Sequence, residues 1–328
     1  MTLFNLMIIV GAFSHMKILD KIAVSLLTKF NSYKKISLIL IYLTFFSSML
    51  ITNDVALITF IPLTLIISKR AHINPMKLVI FQTLAANIGC GLTPMGSPQN
   101  LFIFSFYNLN ASQFFKIMLP FTIFGILWLF ILNILEKSKE FNFNLEDIII
   151  ENQTHVLIFC VLFIFILLSV FNIVNYKIAL IITILVVLIL NKRLLAKVDY
   201  ILLLTFICLF IFTGNLSSFP FIESFARAFL HNKTTTYFSS ILLSQFISNV
   251  PCSMLLANFT SNWKELLLGV NIGGLGTLIA SLASVISYKL YMNDRTSKNQ
   301  NTYIIWFTFY NVISLIAFTL INYFIFIF

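Results

Sequence analysis

The sequence predicts an all-α polytopic membrane protein made of two inverted halves, each with a re-entrant hairpin and a broken helix. Three observations predict it. First, 59% of the 328 residues are hydrophobic and 10% are charged, against roughly 25% charged in an average soluble protein. The apolar runs are too long and too many for a soluble core. Second, seven of the ten glycines crowd into two apolar stretches, 87–100 and 269–276. Glycine is poor in a helix interior, and Pro94 and Pro98 add missing donors and clashes, so the first stretch should unwind at membrane depth. Unwound backbone cannot face lipid and must line a polar cavity. Third, polar breaks recur in the same order. Val10-Gly and Thr213-Gly stand 203 residues apart, Thr52-Asn53 and Ser248-Asn249 196, and Asn87-Ile-Gly and Asn271-Ile-Gly 184. Interrupted hydrophobic segments at matching places in two halves point to a secondary-transporter site.

In chain order, residues 3–13 form a short apolar run. No A-x-A-like site follows it, so no removable leader is expected. Residues 18–27 carry apolar side chains at helical spacing beside Lys17, Asp20 and Lys21, which predicts an interfacial helix. Residues 37–50 and 56–67 are apolar, broken by Thr52-Asn53-Asp54 and flanked at both ends by basic clusters. Positive residues prefer one side of the membrane, so this segment is a hairpin rather than one long span.

Residues 78–106 hold the first broken helix, and 115–135 are a clean span. Residues 136–153 are polar. Spans at 155–171 and 178–190 lead to the basic loop 191–197, and 200–213 span again. Residues 219–230, with Glu223 and Arg227, are amphipathic. A second hairpin breaks at Ser248-Asn249. The second broken helix covers 266–290, and 303–328 are the last span. The predicted organisation is therefore a first inverted repeat over 1–136 (hairpin 36–68, broken helix 78–106). A polar linker and two connecting spans cover 137–198. The second repeat is 199–328 (hairpin 235–261, broken helix 264–291).

Charge gives a topology. The net charge of +10 punctuates loops instead of gathering on a soluble domain, so a positive-inside bias, not nucleic-acid binding, accounts for it. With 29–35 and 69–77 in the cytoplasm, Lys192, Arg193, Lys197, Lys289, Arg295 and Lys298 also fall inside, and the two halves come out inverted. Arg227, Lys233 and Lys264 fall outside, against the bias. The four cysteines show no ligand spacing and are expected to be buried free thiols.

Two tips and two broken helices meeting near the midplane can serve two kinds of ion. Helix arms that start at the tips present unpaired N–H groups and positive dipole ends to an anion. Unwound carbonyls and Asn, Ser or Thr oxygens suit a hard cation such as Na⁺. The candidate substrate residues are Asn53, Asp54, Thr93, Ser97, Asn249 and Thr277. The candidate cation residues are Thr52, Asn53, Asn87, Gly96, Ser248, Asn249, Asn271 and Ser281. The alternative reading of Thr52, Asn53, Asp54, Ser248 and Asn249 is as N-caps of the second arms. Asp54 is either a coupling group or an acid that the helix dipole stabilises. His15, His72, His155 and His231 fall at predicted ends and read as interfacial. Cys90 and Cys252 neighbour the two motifs, so a soft-ligand role is a further reading of them.

Thr52-Asn-Asp-Val-Ala56, Asn87-Ile-Gly with Thr93-Pro-Met-Gly-Ser-Pro-Gln-Asn100, Ser248-Asn-Val-Pro251 and Asn271-Ile-Gly-Gly274 together resemble the citrate-transporter-like permeases. These belong to the ion transporter superfamily, with divalent anion:sodium symporters and arsenite permeases as relatives. The resemblance covers nearly the whole chain. It implies a scaffold domain, a transport domain that moves like an elevator, and a homodimer. In the dicarboxylate members each tip reads Ser-Asn-Thr and binds carboxylate and sodium. Thr52, Asn53, Ser248 and Asn249 match the first two positions, whereas Asp54 and Val250 depart at the third, leaving substrate and coupling ion open. The first half also lacks a counterpart of the two spans over 155–190.

The expected function is secondary active transport of an anion, a di- or tricarboxylate or an inorganic anion, coupled to Na⁺ or H⁺ across the cytoplasmic (inner) membrane. The alternative is a Na⁺/H⁺ antiporter or arsenite exporter. No cofactor and no enzyme activity are expected. An enzyme needs clustered His, Asp or Glu within the spans, and only Asp54 is found there.

Overall fold

The computed structural model describes residues 1–30, 32–134, 148–150, 152–217, 219–220, 224, 226, 230–294 and 300–326. Most of the polar stretch 136–153, most of the amphipathic stretch 219–230 with Glu223 and Arg227, and the loop residues Arg295 and Lys298 lie outside the described residues. Among the described residues every regular element is helical. Four helices are long and apolar enough to cross a membrane: Tyr33–Ile51, Ala111–Ile134, Gln153–Val170 and Gln300–Phe326. The bent pair Thr2–His15 and Ile18–Leu27 would make a fifth. Met76–Leu92, Tyr176–Leu190 and Tyr200–Leu216 are shorter apolar segments. Length and composition alone therefore single out four or five spans among the described residues.

The chain packs as two units, residues 1–30 with 142–207, and residues 31–141 with 208–328. In the first, α1 (Thr2–His15) packs on α8 (Gln153–Val170), α9 (Tyr176–Leu190) and the 3-10 segment Lys192–Lys197. Its core includes Leu6, Ile8, Ile9, Phe159, Leu162 and Ile166. The chain turns by 49° into α2 (Ile18–Leu27) through Lys17, which adopts the left-handed conformation at φ 53°.

The second unit opens with α3 (Tyr33–Ile51) and α4 (Asn53–Ala71), which pack on each other. Each has 19 residues, or about 28 Å at 1.5 Å per residue. Helices α3 and α4 therefore form a hairpin over 33–71, against 36–68 expected, and the α3 arm is by itself long and apolar enough to cross a membrane, which a re-entrant arm need not be. Then come α5 (Met76–Gly89), α6 (Pro98–Phe106) and α7 (Ala111–Ile134). Helix α10 (Tyr200–Ser217) crosses the boundary between the units. The rest of the second unit is α11 (Lys233–Ile247), α12 (Asn249–Ala257), α13 (Trp263–Gly273), α14 (Leu282–Met292) and α15 (Gln300–Phe326).

Both expected helix breaks are present. Between α5 and α6 the chain makes 3-10 turns at Cys90–Leu92 and Pro94–Gly96, and Pro98 starts α6 at its first turn, where its missing N–H costs nothing. Between α13 and α14 the only helical turn is Leu278–Ala280. The two halves of this unit pack alike. Helix α3 lies on α5 as α11 lies on α13; α4 lies on α14 as α12 lies on α6; α7 lies on α5 as α15 lies on α13.

Packing explains the tight glycines. A Cβ on Gly89 would stand 2.3 Å from the Phe45 carbonyl oxygen and 2.6 Å from Ser48 Oγ, and one on Gly273 would stand 2.6 Å from Ser244 Cβ. Ser48 and Ser244 are themselves 196 residues apart, like the two tips. On α15, Tyr303, Phe307, Asn311, Ser314, Phe318 and Asn322 form the buried stripe, and Trp128 Nε1 donates to Ser314 Oγ at 2.8 Å. Ile305, Phe309, Ile316, Leu320 and Phe324 are exposed on the opposite side, as a lipid-facing surface requires. The cysteines depart from expectation in burial. All four are free, but only Cys90 and Cys252 are buried, while Cys160 is intermediate and Cys208 exposed. The last two sit on helices whose outward faces need only be apolar.

Candidate functional site

Each hairpin turns on one residue. Thr52 connects α3 to α4 with φ 87° and ψ 148°, and Ser248 connects α11 to α12 with φ 70° and ψ 152°. This corner of backbone space is essentially a glycine region and costs a residue with a side chain about 1–3 kcal/mol. Two hydroxyl residues hold it at equivalent places. Neither hydroxyl caps its following helix, so capping by Thr52 and Ser248 is not what sets these residues. Ser248 Oγ instead reaches the Ala280 carbonyl at 3.4 Å.

The tips are fastened to the breaks in the same way. The Thr93 hydroxyl donates to the Met49 carbonyl, and the Thr277 hydroxyl donates to the Gln245 carbonyl at 2.9 Å. Met49 and Gln245 each lie three residues before their tip. Thr93 Oγ1 also accepts from Gly96 N at 3.1 Å. The protons of Thr93 and Thr277 are therefore used to hold the hairpins. Gln245 adds a clamp with no equivalent in the first half. Its Nε2 donates to the carbonyls of Gly273 at 2.7 Å and Leu275 at 3.1 Å, and its Oε1 accepts from Thr277 N at 2.9 Å.

At the centre is Asn87. Its Oδ1 accepts from Asn53 Nδ2 at 3.2 Å and from Ser281 Oγ at 3.0 Å. Its Nδ2 donates to Ser284 Oγ at 3.2 Å and to the Gly274 carbonyl at 3.4 Å. One side chain thus joins the first tip, its own broken helix and the second broken helix. Asn271, its equivalent, donates from Nδ2 to Asn100 Oδ1 at 2.7 Å and to the Leu267 carbonyl at 2.8 Å. Asn100 in turn donates to the unwound Cys90 carbonyl at 3.1 Å, with Gly91 and Thr93 carbonyls at 3.5 and 3.4 Å. Each asparagine before a break therefore contacts the residue thirteen positions after the other asparagine, Asn87 to Ser284 and Asn271 to Asn100.

Some polar groups here are left over. Asn271 Oδ1 is buried without a hydrogen bond among the described residues. Asn249, buried, stands over the second break, where a Cβ on Gly274 would come within 2.7 Å of its Nδ2. Ser97 is buried and its hydroxyl makes no hydrogen bond among the described residues. Asp54 is half-buried in the first turn of α4, whose N-terminal N–H groups have no partners within the helix. Gly96 lies so tightly on the Cys90 carbonyl, 2.3 Å from any added Cβ, that only its backbone can take part. The thiols of Cys90 and Cys252 donate to the Asn87 and Ser240 carbonyls. The structure thus brings together Asn53, Asn87, Ser281 and Asn249 with the second break, and Asn271 with the first through Asn100. Asn100, Ser284 and Gln245 were not among the expected site residues.

A bundle of apolar helices, interrupted at two breaks and turned at two single-residue tips, with a buried asparagine that joins the first tip to both breaks, is a multi-pass membrane protein of the transporter class. Comparison with known proteins agrees: residues 1–263 match the model of the citrate transporter family. The chain belongs to that family. It is 43% identical to an uncharacterized transporter of Methanocaldococcus jannaschii over 88% of this chain and 79% of the relative. It is 28% identical to the inner membrane protein YbiR of Escherichia coli over 90% of this chain and 79% of that protein. A shorter match, 30% identical, joins 28% of this chain to 16% of a putative transporter arsB of Dictyostelium discoideum.

Proposed function

We propose that this transporter is a secondary active one that carries a small anion across the cytoplasmic membrane, coupled to Na⁺ or H⁺, through a site made by the two tips and two breaks. The observation that carries the reading is the exchange of contacts between the two breaks, Asn87 with Ser284 and Asn271 with Asn100. It supports an inverted repeat with the site on the pseudo-twofold axis, and an elevator-like movement of the hairpin-bearing part. The N-termini of α4 and α12 offer N–H groups to an anion. The Asn249 carboxamide and the Ser97 hydroxyl add side-chain contacts. Asn271 Oδ1, the unwound carbonyls and Ser281 are hard oxygens suited to Na⁺. An orphaned buried acceptor costs about 1–3 kcal/mol, a cost that a bound cation would remove. Thr93 and Thr277 act in this scheme by fixing the tips, and Asn87 by joining the parts. Residence in the inner membrane and a homodimer belong to the same proposal, the first supported by the name of the Escherichia coli relative.

The test is uptake into proteoliposomes under imposed Na⁺ and H⁺ gradients, with dicarboxylates, tricarboxylates, sulfate and arsenite as substrates. Asn53→Ala and Asn249→Ala are expected to abolish it. Wild-type rates in both would remove the site assignment. A second reading, a Na⁺/H⁺ antiporter or arsenite exporter, is favoured by one observation. Asp54 stands on the first tip alone, where Val250 stands on the second. Proton efflux driven by Na⁺ in the absence of any anion, lost in Asp54→Asn, would select it.

A further inference from the structure

In both breaks, unwound carbonyls converge on a side-chain nitrogen. In the first, the carbonyls of Cys90, Gly91 and Thr93 surround Asn100 Nδ2, at 3.1, 3.5 and 3.4 Å. In the second, the carbonyls of Gly273 and Leu275 meet Gln245 Nε2 at 2.7 and 3.1 Å, and the Ile241 carbonyl of α11 joins them at 3.1 Å. Gly91 and Leu275 stand 184 residues apart, like Asn87 and Asn271, so the two groupings lie at equivalent places. The nitrogens do not. Asn100 is buried in the first turn of α6, beyond its own break, whereas Gln245 comes from the hairpin arm α11. Partners fix the direction of both carboxamides. Asn100 Oδ1 accepts from Asn271 Nδ2 at 2.7 Å and Gln245 Oε1 from Thr277 N at 2.9 Å. A backbone carbonyl can only accept, so each N–H₂ has to face the carbonyls.

An N–H₂ group has two protons, and each grouping offers it three carbonyls. Convergent carbonyls on an unwound membrane helix are a donor set for a hard monovalent cation, whose spherical charge serves all of them at once. We propose that Asn100 and Gln245 determine cation specificity: each carboxamide nitrogen holds the place of a Na⁺ in a carbonyl cage, so that neither cage takes the ion. The proposal rests on the reading of the breaks as part of the transport site. Its consequence is that a coupling cation is left with side-chain oxygens such as Asn271 Oδ1 and Ser281 Oγ rather than with these carbonyls. A carboxylate in place of either carboxamide uncovers the cage. Asn100→Asp and Gln245→Glu keep the shape and the accepting oxygen, and put a second oxygen where the N–H₂ stood. Three carbonyls and a carboxylate then face one another without a proton between them, an arrangement that a bound cation relieves.

Thermal unfolding of the purified full-length protein in detergent tests this, in NaCl against N-methyl-D-glucamine chloride at equal ionic strength. Asn100→Asp and Gln245→Glu should unfold below wild type in N-methyl-D-glucamine. Na⁺ should raise their Tm with concentration, as a ligand of the folded state does, and should raise wild type less. Asn311→Asp is the control. Its buried carboxamide nitrogen donates to one carbonyl, that of Phe307, so its loss of stability should be the same in both media. Asn100→Ala and Gln245→Ala, which empty the cages without adding a charge, should show a smaller Na⁺-dependent rise and serve where a carboxylate variant does not fold. If Na⁺ raises the variants of either carboxamide no more than it raises wild type, the assignment of that carboxamide is overturned. An equal rise in Asn311→Asp overturns both. No substrate enters the measurement, so a failure of uptake counts against the transport reading alone.

Discussion

Replacing Gly89 by alanine is expected to destabilise the protein and stop transport, although alanine is the better helix former. The new Cβ would stand 2.3 Å from the Phe45 carbonyl oxygen and 2.6 Å from Ser48 Oγ. Serine can rotate away, but the carbonyl is part of α3. Ordinary van der Waals contact starts at 3.4 Å, so α3 and α5 must separate by roughly 1 Å, an overpacking that costs about 1–3 kcal/mol. The separation pulls Thr93 from the Met49 carbonyl, which loosens the first tip as well as the core. Gly214→Ala is the control, because nothing lies within 4 Å of its added Cβ; it should gain up to about 1 kcal/mol from helix propensity. Unfolding in mixed micelles at increasing SDS measures both, and uptake is assayed in parallel. A Gly89→Ala protein as stable as Gly214→Ala would refute the reasoning. The two halves also differ in a useful way. At Gly273 the obstacles are the Cβ and Oγ of Ser244, at 2.6 and 2.7 Å, with the Ser240 carbonyl at 3.2 Å. Adding Ser244→Gly should therefore recover much of the loss in Gly273→Ala, whereas Ser48→Gly should recover little in Gly89→Ala.

Asn100→Ala should lose about 1–3 kcal/mol in the same assay, because it strips the Cys90 carbonyl and Asn271 Nδ2 of their partner; Asn100→Asp should keep the Asn271 contact and still lose the carbonyl. Gln245→Met, which copies the first half, should leave the Gly273 and Leu275 carbonyls without their donor and cut uptake more than it cuts stability, as judged by rate against SDS midpoint. Thr52→Gly should leave stability unchanged or raise it, since relief of about 1–3 kcal/mol of backbone strain outweighs the ~0.5–1 kcal/mol entropic cost of glycine; a clear drop in SDS midpoint would show that the Thr52 backbone is relaxed. Trp128→Phe, which removes the bond to Ser314, should cost about 0.5–1.5 kcal/mol without changing substrate preference in uptake.

The sequence made the tips and the breaks legible because each violates a local rule. Polar Thr52-Asn53 and Ser248-Asn249 interrupt apolar runs, and glycine and proline punctuate two helices. Those signals are contiguous in the chain. The partners are not. Asn100 and Ser284 meet Asn271 and Asn87 across 171 and 197 residues, and a polar residue at the start of a short apolar helix reads as an ordinary cap. A signal was nevertheless present, because each lies thirteen residues after its own asparagine. Gln245 was obscure for another reason: its counterpart Met49 offers only a backbone carbonyl, so no repeated side chain marks it. Thr93 and Thr277 were found as polar residues, but their hydroxyl protons prove to be engaged by the hairpins, a direction that composition cannot reveal. Cys160 and Cys208 show the limit of hydropathy, which reads lipid-facing and core positions alike.

The far end of the first break is tied down too. The Tyr107 hydroxyl donates to the carbonyls of Ala257 and Thr260, at 3.1 and 2.8 Å, and burial pushes this phenol's pKa upward, so it stays a donor at every physiological pH.

Both hairpins turn without a loop. Helix α3 ends at Ile51 and α4 begins at Asn53; α11 ends at Ile247 and α12 begins at Asn249. A corner of one residue has no slack. It cannot flap, swing open or let one arm slide while the other stays still, because any change at Thr52 or Ser248 is transmitted at once into two helices. Mechanically each hairpin is a stiff wedge rather than a lid. If the site opens to the two sides of the membrane in turn, as proposed above, such wedges would move whole, together with the broken helices bolted to them at Thr93 and Thr277, and the flexible joints would lie elsewhere in the chain.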